Sequence, residues 1–184
     1  DSYGSRGLGD VYKRQENNLI VGAEVELSPN SSERYDDIEL VVIHCISLPE
    51  GEYNNNYPKD LFLNRLDFSI HPSFESLENL KVSSHLLINR DGSFIQFVPF
   101  NKCAWHAGKS IFEGREDCNN FSIGIELEGT VKENYTDEQY EILRAIITLL
   151  KSKYPIKKIV GHSEIAAGRK DDPGPYFEWK RVDD

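Results

Sequence analysis

The sequence predicts an α/β (α+β) domain with a mixed central β-sheet flanked by helices. Three segments carry that reading: a nearly continuous β-branched run at 38–47, an alternating run at 121–127, and an amphipathic helix opening at Thr136. At 184 residues the chain fits a single domain whose core needs no disulfide staples.

The first run, Ile-Glu-Leu-Val-Val-Ile-His-Cys-Ile-Ser at 38–47, reads as a strand buried on both faces, and Leu48-Pro49 closes it. Asn54–Lys59 is polar turn material. Leu61, Phe62 and Leu66 then suggest a short helix, and a second is expected around Phe74–Leu80. Ser84–Ile88 and Ser93–Phe97 are strand-like and flank Asn89-Arg90-Asp91-Gly92, a hairpin signal because Asp and Gly both tolerate positive φ. In Phe121–Leu127 the alternation places Ile123, Ile125 and Leu127 on one face, with Gly124 and Glu126 on the other. Thr136-Asp137-Glu138-Gln139 is a capping-box pattern. Tyr140, Leu143, Ile146, Ile147 and Leu150 follow at helical spacing, and the helix stops before Pro155. Lys158–Gly161 is a short strand running into His162, and two prolines and a glycine make 169–175 a loop.

Composition narrows the function classes. A formal net charge of −10 speaks against nucleic-acid phosphates or anionic membrane as the main partner. No apolar run approaches the roughly 20 residues that cross a bilayer, and no signal-peptide core follows a basic start. The odd cysteine count, Cys45, Cys103 and Cys118 without metal-type spacing, predicts reduced thiols and a cytoplasmic compartment. Asp1–Gln15 shows no hydrophobic period and ends in a hexapeptide resembling a translated transposon end. It is set aside as a non-native scar or disordered segment, leaving 16–184 as the domain.

Three polar residues sit where a sheet would present them: His44 within a buried-type strand, Glu126 on the polar side of another, and His162 at the end of a third. Singly, a strand histidine is more often a hydrogen-bonded structural residue than a ligand. Together, imidazoles and a carboxylate from separate strand ends can make a zinc site with one open position. Asp172 precedes Pro173 and is thereby biased towards extended backbone. Spacing alone shows no convergence, and periodicity cannot choose between Glu126 and Glu128.

Five ordered blocks carry a resemblance over Ile38–Arg181: Val-Val-Ile-His-Cys-Ile-Ser-Leu-Pro at 41–49, Lys-Val-Ser-Ser-His-Leu at 81–86, Phe-Val-Pro-Phe-Asn-Lys-Cys-Ala-Trp-His-Ala-Gly at 97–108, Asn-Phe-Ser-Ile-Gly-Ile-Glu-Leu-Glu-Gly at 120–129, and Gly-His-Ser-Glu-Ile-Ala-Ala-Gly-Arg-Lys-Asp-Asp-Pro-Gly-Pro at 161–175. In these the chain resembles the AmpD-type 1,6-anhydro-N-acetylmuramyl-L-alanine amidases, within the amidase and peptidoglycan-recognition fold. The resemblance implies zinc held by His44, His162 and Asp172, with Glu126 as general base and Lys170 stabilising charge in the transition state. It implies a muropeptide substrate, with Lys81, Trp105 and His106 as contacts and His85 in a block lining the cleft, and no obligate protein partner. The implied role is peptidoglycan recycling. The alternatives are an amidase of intact wall and a non-catalytic muropeptide binder, which typically lacks a zinc ligand. Cys45, Lys81 and Asp117 depart from the family pattern. Basic side chains at the last two places would hold peptide carboxylates, so the departures bear on stem-peptide affinity.

Overall fold

A computed structural model describes residues 14–182. Residues 1–13 of the segment set aside as a scar lie outside the described residues. Its last two, Arg14 and Gln15, do not: Gln15–Glu16 pairs with Leu19–Ile20, and the Tyr154 hydroxyl lies 3.1 Å from Gln15 Oε1.

Six strands form the central sheet: β1 (Glu24–Val25), β2 (Leu40–Ile46), β3 (Leu86–Ile88), β4 (Phe94–Gln96), β5 (Ser122–Glu128) and β6 (Lys158–Gly161), in the spatial order β6-β2-β5-β3-β4-β1. The β6-β2-β5-β3 block is parallel and only β3 and β4 pair antiparallel, so the sheet is mixed. The hairpin forms at the Asp-Gly signal, but of that pair only Gly92 adopts positive φ, and Asp91 serves through its carboxylate, which accepts from Ser93.

Strand alternation gives the sheet two faces. Val41, Ile43, Leu86, Ile88, Ile123, Ile125 and Leu127 share one cluster with Ile142, Leu143, Ile146, Ile147 and Leu150 of helix α2 (Asp137–Lys153). Each fully buried aliphatic side chain stabilises this layer by about 1.5–3 kcal/mol. The capping box is present: the Thr136 hydroxyl accepts from Gln139 N–H, and the Gln139 side chain accepts from Thr136 N–H. The opposite face holds Leu40 and Val42 against Ala107, Cys118, Phe121 and Ile165, and beside them Leu87 with Phe62, Phe74 and Phe97. His44 and Glu126 belong to this second face.

The 50–82 insert covers part of that face. Its first helix, α1, is Tyr57–Phe62. The helix expected around Phe74–Leu80 is instead a 3₁₀ helix at Pro72–Leu77. Pro72 starts it early, and His71 caps it by accepting from Ser73 N–H.

Candidate metal and catalytic site

Register assembles the site. On β2 and β5, His44 and Glu126 are direct partners across neighbouring parallel strands. Strand β6 pairs its last residue, Gly161, with Ile43, so the next residue, His162, emerges beside His44. His162 opens a short helix, α3 (His162–Ile165), rather than ending the strand, and Glu164 closes back on the Gly161 N–H at 2.6 Å. The loop after α3 returns because Asp172 C=O accepts from Ser163 N–H at 3.0 Å. Gly161 permits that return, since a Cβ there would stand 2.8 Å from Pro173 Cδ.

Three acceptor atoms meet as a result. His44 Nδ1 lies 3.0 Å from His162 Nδ1 and 3.2 Å from Asp172 Oδ2, and His162 Nδ1 lies 3.3 Å from the same oxygen. Among the described residues this is the histidine, cysteine and carboxylate grouping suited to a metal ion. Ligand atoms about 2.0–2.1 Å from a tetrahedral zinc stand roughly 3.3 Å from one another, so the spacing suits a single ion. The His162 tautomer fits too. Its Nε2 is 3.0 Å from Ala107 C=O, which can only accept, so the proton sits on Nε2 and the Nδ1 lone pair faces the cluster. Burial and the neighbouring His162 lower the His44 pKa, against the raising effect of Asp172. Burial pushes the Asp172 carboxyl up, but its close contacts with His162 and His44 outweigh it and hold the group well below the usual carboxylate range.

Glu126 is half-buried beside this cluster, and its Oε2 is shielded from water with no hydrogen-bond partner. Burial raises its pKa well above the ordinary value, the charge of Asp172 adds to the rise, and Lys170 opposes it. Lys170 is exposed at the cleft margin. The two glutamates that periodicity left equivalent differ in their partners. Glu128 is buried and accepts from the backbone N–H groups of Asn54 and Arg90, pinning the insert to the hairpin, whereas Glu126 keeps a free oxygen in the cleft.

The cleft holds about 400 Å³, with the metal cluster and Glu126 on its floor, Lys170 at its margin and the apolar side chains of Leu61, Phe62, Leu77 and Leu80 along a wall. Sequence reasoning missed that wall because the insert carries no polar motif. Trp105 lines the cleft and ties its indole N–H to Ser32 Oγ at 3.2 Å. His106 also borders it, but both ring nitrogens are engaged inside the protein, with His44 and Ser122. Lys81 is exposed between Leu80 and Val82, which line the cleft while Lys81 does not. His85 is fully buried away from the cleft: Nε2 donates to Lys102 C=O at 2.8 Å and Nδ1 accepts from Gly124 N–H at 3.1 Å, so its work is structural. Cys45 borders the cleft with its thiol pushed up to about 12, chiefly by burial, which keeps it un-ionised at neutral pH. Asp117 is exposed in a left-handed conformation away from the cleft.

A parallel-rich sheet carrying a His-His-Asp cluster and a desolvated glutamate on one face defines an amidase-type hydrolase site. Residues 34–175 match the family model described as N-acetylmuramoyl-L-alanine amidase, and the chain belongs to that family. It is similar to the 1,6-anhydro-N-acetylmuramyl-L-alanine amidase AmpD of Escherichia coli, with 49% identity over 170 residues covering 90% of this chain and 93% of that one. The AmpD of Haemophilus influenzae is 44% identical over 171 residues, again 90% and 93% of the two chains. A crystal structure of a selenomethionine AmpD derivative superposes with a TM-score of 0.89 at 46% identity, covering 91% of this chain and 96% of that one. The chain is thus an AmpD-type N-acetylmuramoyl-L-alanine amidase.

Proposed function

We propose that this enzyme uses zinc, held by His44, His162 and Asp172, to hydrolyse the amide between 1,6-anhydro-N-acetylmuramic acid and L-alanine in muropeptides. Its setting is peptidoglycan recycling in the bacterial cytoplasm, and 16–184 is its catalytic domain. The observation that carries the reading is the meeting of three acceptor atoms within 3.0–3.3 Å beside a buried glutamate oxygen without a partner. The AmiD of Escherichia coli, whose structure is titled as a complex with anhydro-N-acetylmuramic acid-L-Ala-D-gamma-Glu-L-Lys, aligns at 30% identity with a TM-score of 0.58 and supports the substrate class.

When bound, zinc supplies Lewis acidity, bringing the pKa of water towards about 7 and polarising a carbonyl. Glu126, its carboxylate raised by burial, accepts the proton of the attacking water and returns it to the departing alanine amine. Lys170 places an ammonium where the carbonyl oxygen becomes negative. Trp105 and the apolar wall exclude water around the muramyl group, and the exposed Lys81, between two cleft-lining residues, is the candidate partner for a stem-peptide carboxylate.

The test is release of L-alanyl peptide from anhydro-muropeptides, with activity removed by a chelator and restored by zinc. Rates on intact sacculi form the second arm. Faster release from sacculi overturns the recycling assignment, and undiminished turnover after chelation overturns the metal.

A further inference from the structure

One segment, Trp105-His106-Ala107, touches both histidines of the metal cluster from behind. Ala107 C=O accepts from His162 Nε2–H at 3.0 Å, and His106 Nδ1 lies 2.8 Å from His44 Nε2. The segment is itself clamped, because Asn119 Oδ1 accepts from both the His106 and the Ala107 backbone N–H, at 3.1 and 2.8 Å. Beyond His106, its Nε2 lies 3.0 Å from Ser122 Oγ, and that hydroxyl lies 2.6 Å from Cys118 C=O.

The proton positions along this chain follow from its far end. A carbonyl only accepts, so Ser122 spends its single O–H on Cys118 and has only lone pairs left for His106. A neutral His106 must then donate from Nε2, which leaves its Nδ1 as an acceptor. His44 must donate into that acceptor from Nε2, which frees its Nδ1 lone pair to face His162 and Asp172. The backbone is shaped around the ring: a Cβ on Gly124 would stand 2.4 Å from His106 Cγ, so the glycine of β5 leaves the space that His106 fills.

We propose that His106 and Ser122 are positioning residues that fix the tautomer of His44 and so set the affinity of the site for its metal. This replaces the expectation that His106 is a substrate contact, and it rests on the zinc reading above. Ala107 C=O does the same for His162, so one clamped segment sets both histidine ligands.

The experiment measures zinc affinity by competition with a chelator, and separately reads histidine tautomers by long-range ¹H–¹⁵N correlation in the metal-free protein. His44 is expected as the Nε2–H tautomer in the wild type. His106→Leu and Ser122→Ala are expected to weaken zinc binding about 10- to 100-fold and to give His44 a mixture of tautomers. His106→Asn, whose amide oxygen can replace Nδ1, is expected to recover most of the affinity. A wild type carrying the proton of His44 on Nδ1, or a folded His106→Leu variant binding zinc within twofold of wild type, overturns the proposal. If His106→Leu does not fold, Ser122→Ala and the wild-type tautomer decide it. A wild type that binds no zinc overturns the metal reading instead, and the tautomer measurement then still tests the hydrogen-bond chain.

Discussion

Glu126 and His44 are register partners on adjacent parallel strands, so the proposed base and the first proposed metal ligand are placed by one pairing. A slip of one residue in either strand would turn that strand's side chain into the α2 core, which makes the register of β2 and β5 a requirement of the proposed chemistry as well as of the structure. Glu126→Gln keeps the shape and hydrogen-bonding capacity of the side chain but cannot accept the proton. Its kcat should fall about 10²- to 10⁴-fold while zinc remains bound one per chain. Steady-state kinetics with metal analysis checks this, and full turnover would remove Glu126 from the chemistry.

Glu128 supplies the contrast on the same strand face. Its carboxylate accepts from Asn54 N–H and Arg90 N–H, two loops that no strand joins. Glu128→Ala leaves those donors without the acceptor and should cost about 1–3 kcal/mol of stability. Metal content should be unchanged, and the loss of kcat should be far smaller than in Glu126→Gln. Urea denaturation beside the same kinetic assay separates the two glutamates.

Lys170 opposes the burial-driven rise in the Glu126 pKa. Replacing it with Met removes that opposition, so Glu126 holds its proton to a higher pH and the acid limb of kcat/KM should move upward. Loss of the ammonium from the transition state should also lower kcat about 10²- to 10³-fold. A pH profile of the variant checks both, and an acid limb at or below the wild-type position contradicts the electrostatic coupling.

Much of the fold was legible because its signals are local. The β-branched run at β2, the alternation in β5 and the capping box of α2 each state their own conformation. The three metal-site residues were singled out in advance, but their meeting was not legible from spacing, because it depends on parallel pairing between segments 118 residues apart. The exchange of roles among the histidines was equally hidden. His85 and His106 look alike in motif context, yet one bonds Gly124 and Lys102 inside the sheet and the other backs His44. Arg34 gave no signal at all. It lies before the first of the five sequence blocks, and its guanidinium donates to the carbonyls of Phe100, Asn120, Lys102 and Ser122, closing off the strand and loop ends behind the site.

That arrangement makes Arg34 a sharp stability probe. Arg34→Met keeps the aliphatic stem but withdraws the donor from four carbonyls, of which, among the described residues, only Lys102 C=O keeps a second one, from His85 Nε2, so it should destabilise by about 3–5 kcal/mol. Ser122 is among the residues it holds, so zinc affinity should fall alongside. Denaturation midpoints and chelator competition on the same preparation check this, and a variant with wild-type stability would show that water replaces the guanidinium.

Acid should destabilise the fold through the same buried rings. Burial, reinforced by the charge of Arg34, lowers the His85 pKa to about 3, from 6.5 in the unfolded chain. The neutral ring therefore contributes stability that is fully present above about pH 6.5 and is lost as pH falls towards 3, by up to about 1.4 kcal/mol per pH unit. His44 and His106 are also lowered by burial and act in the same direction. The urea midpoint should accordingly drop as pH descends from 6.5, while the His85 ring resonances of the folded protein stay those of the neutral form down to pH 4.5. His85→Asn, which retains an acceptor for Gly124 N–H but cannot ionise, should start less stable and lose less per pH unit. If His85 instead titrates in the folded protein near pH 6, its burial does not control acid stability, and the slope must come from carboxylates such as Asp172.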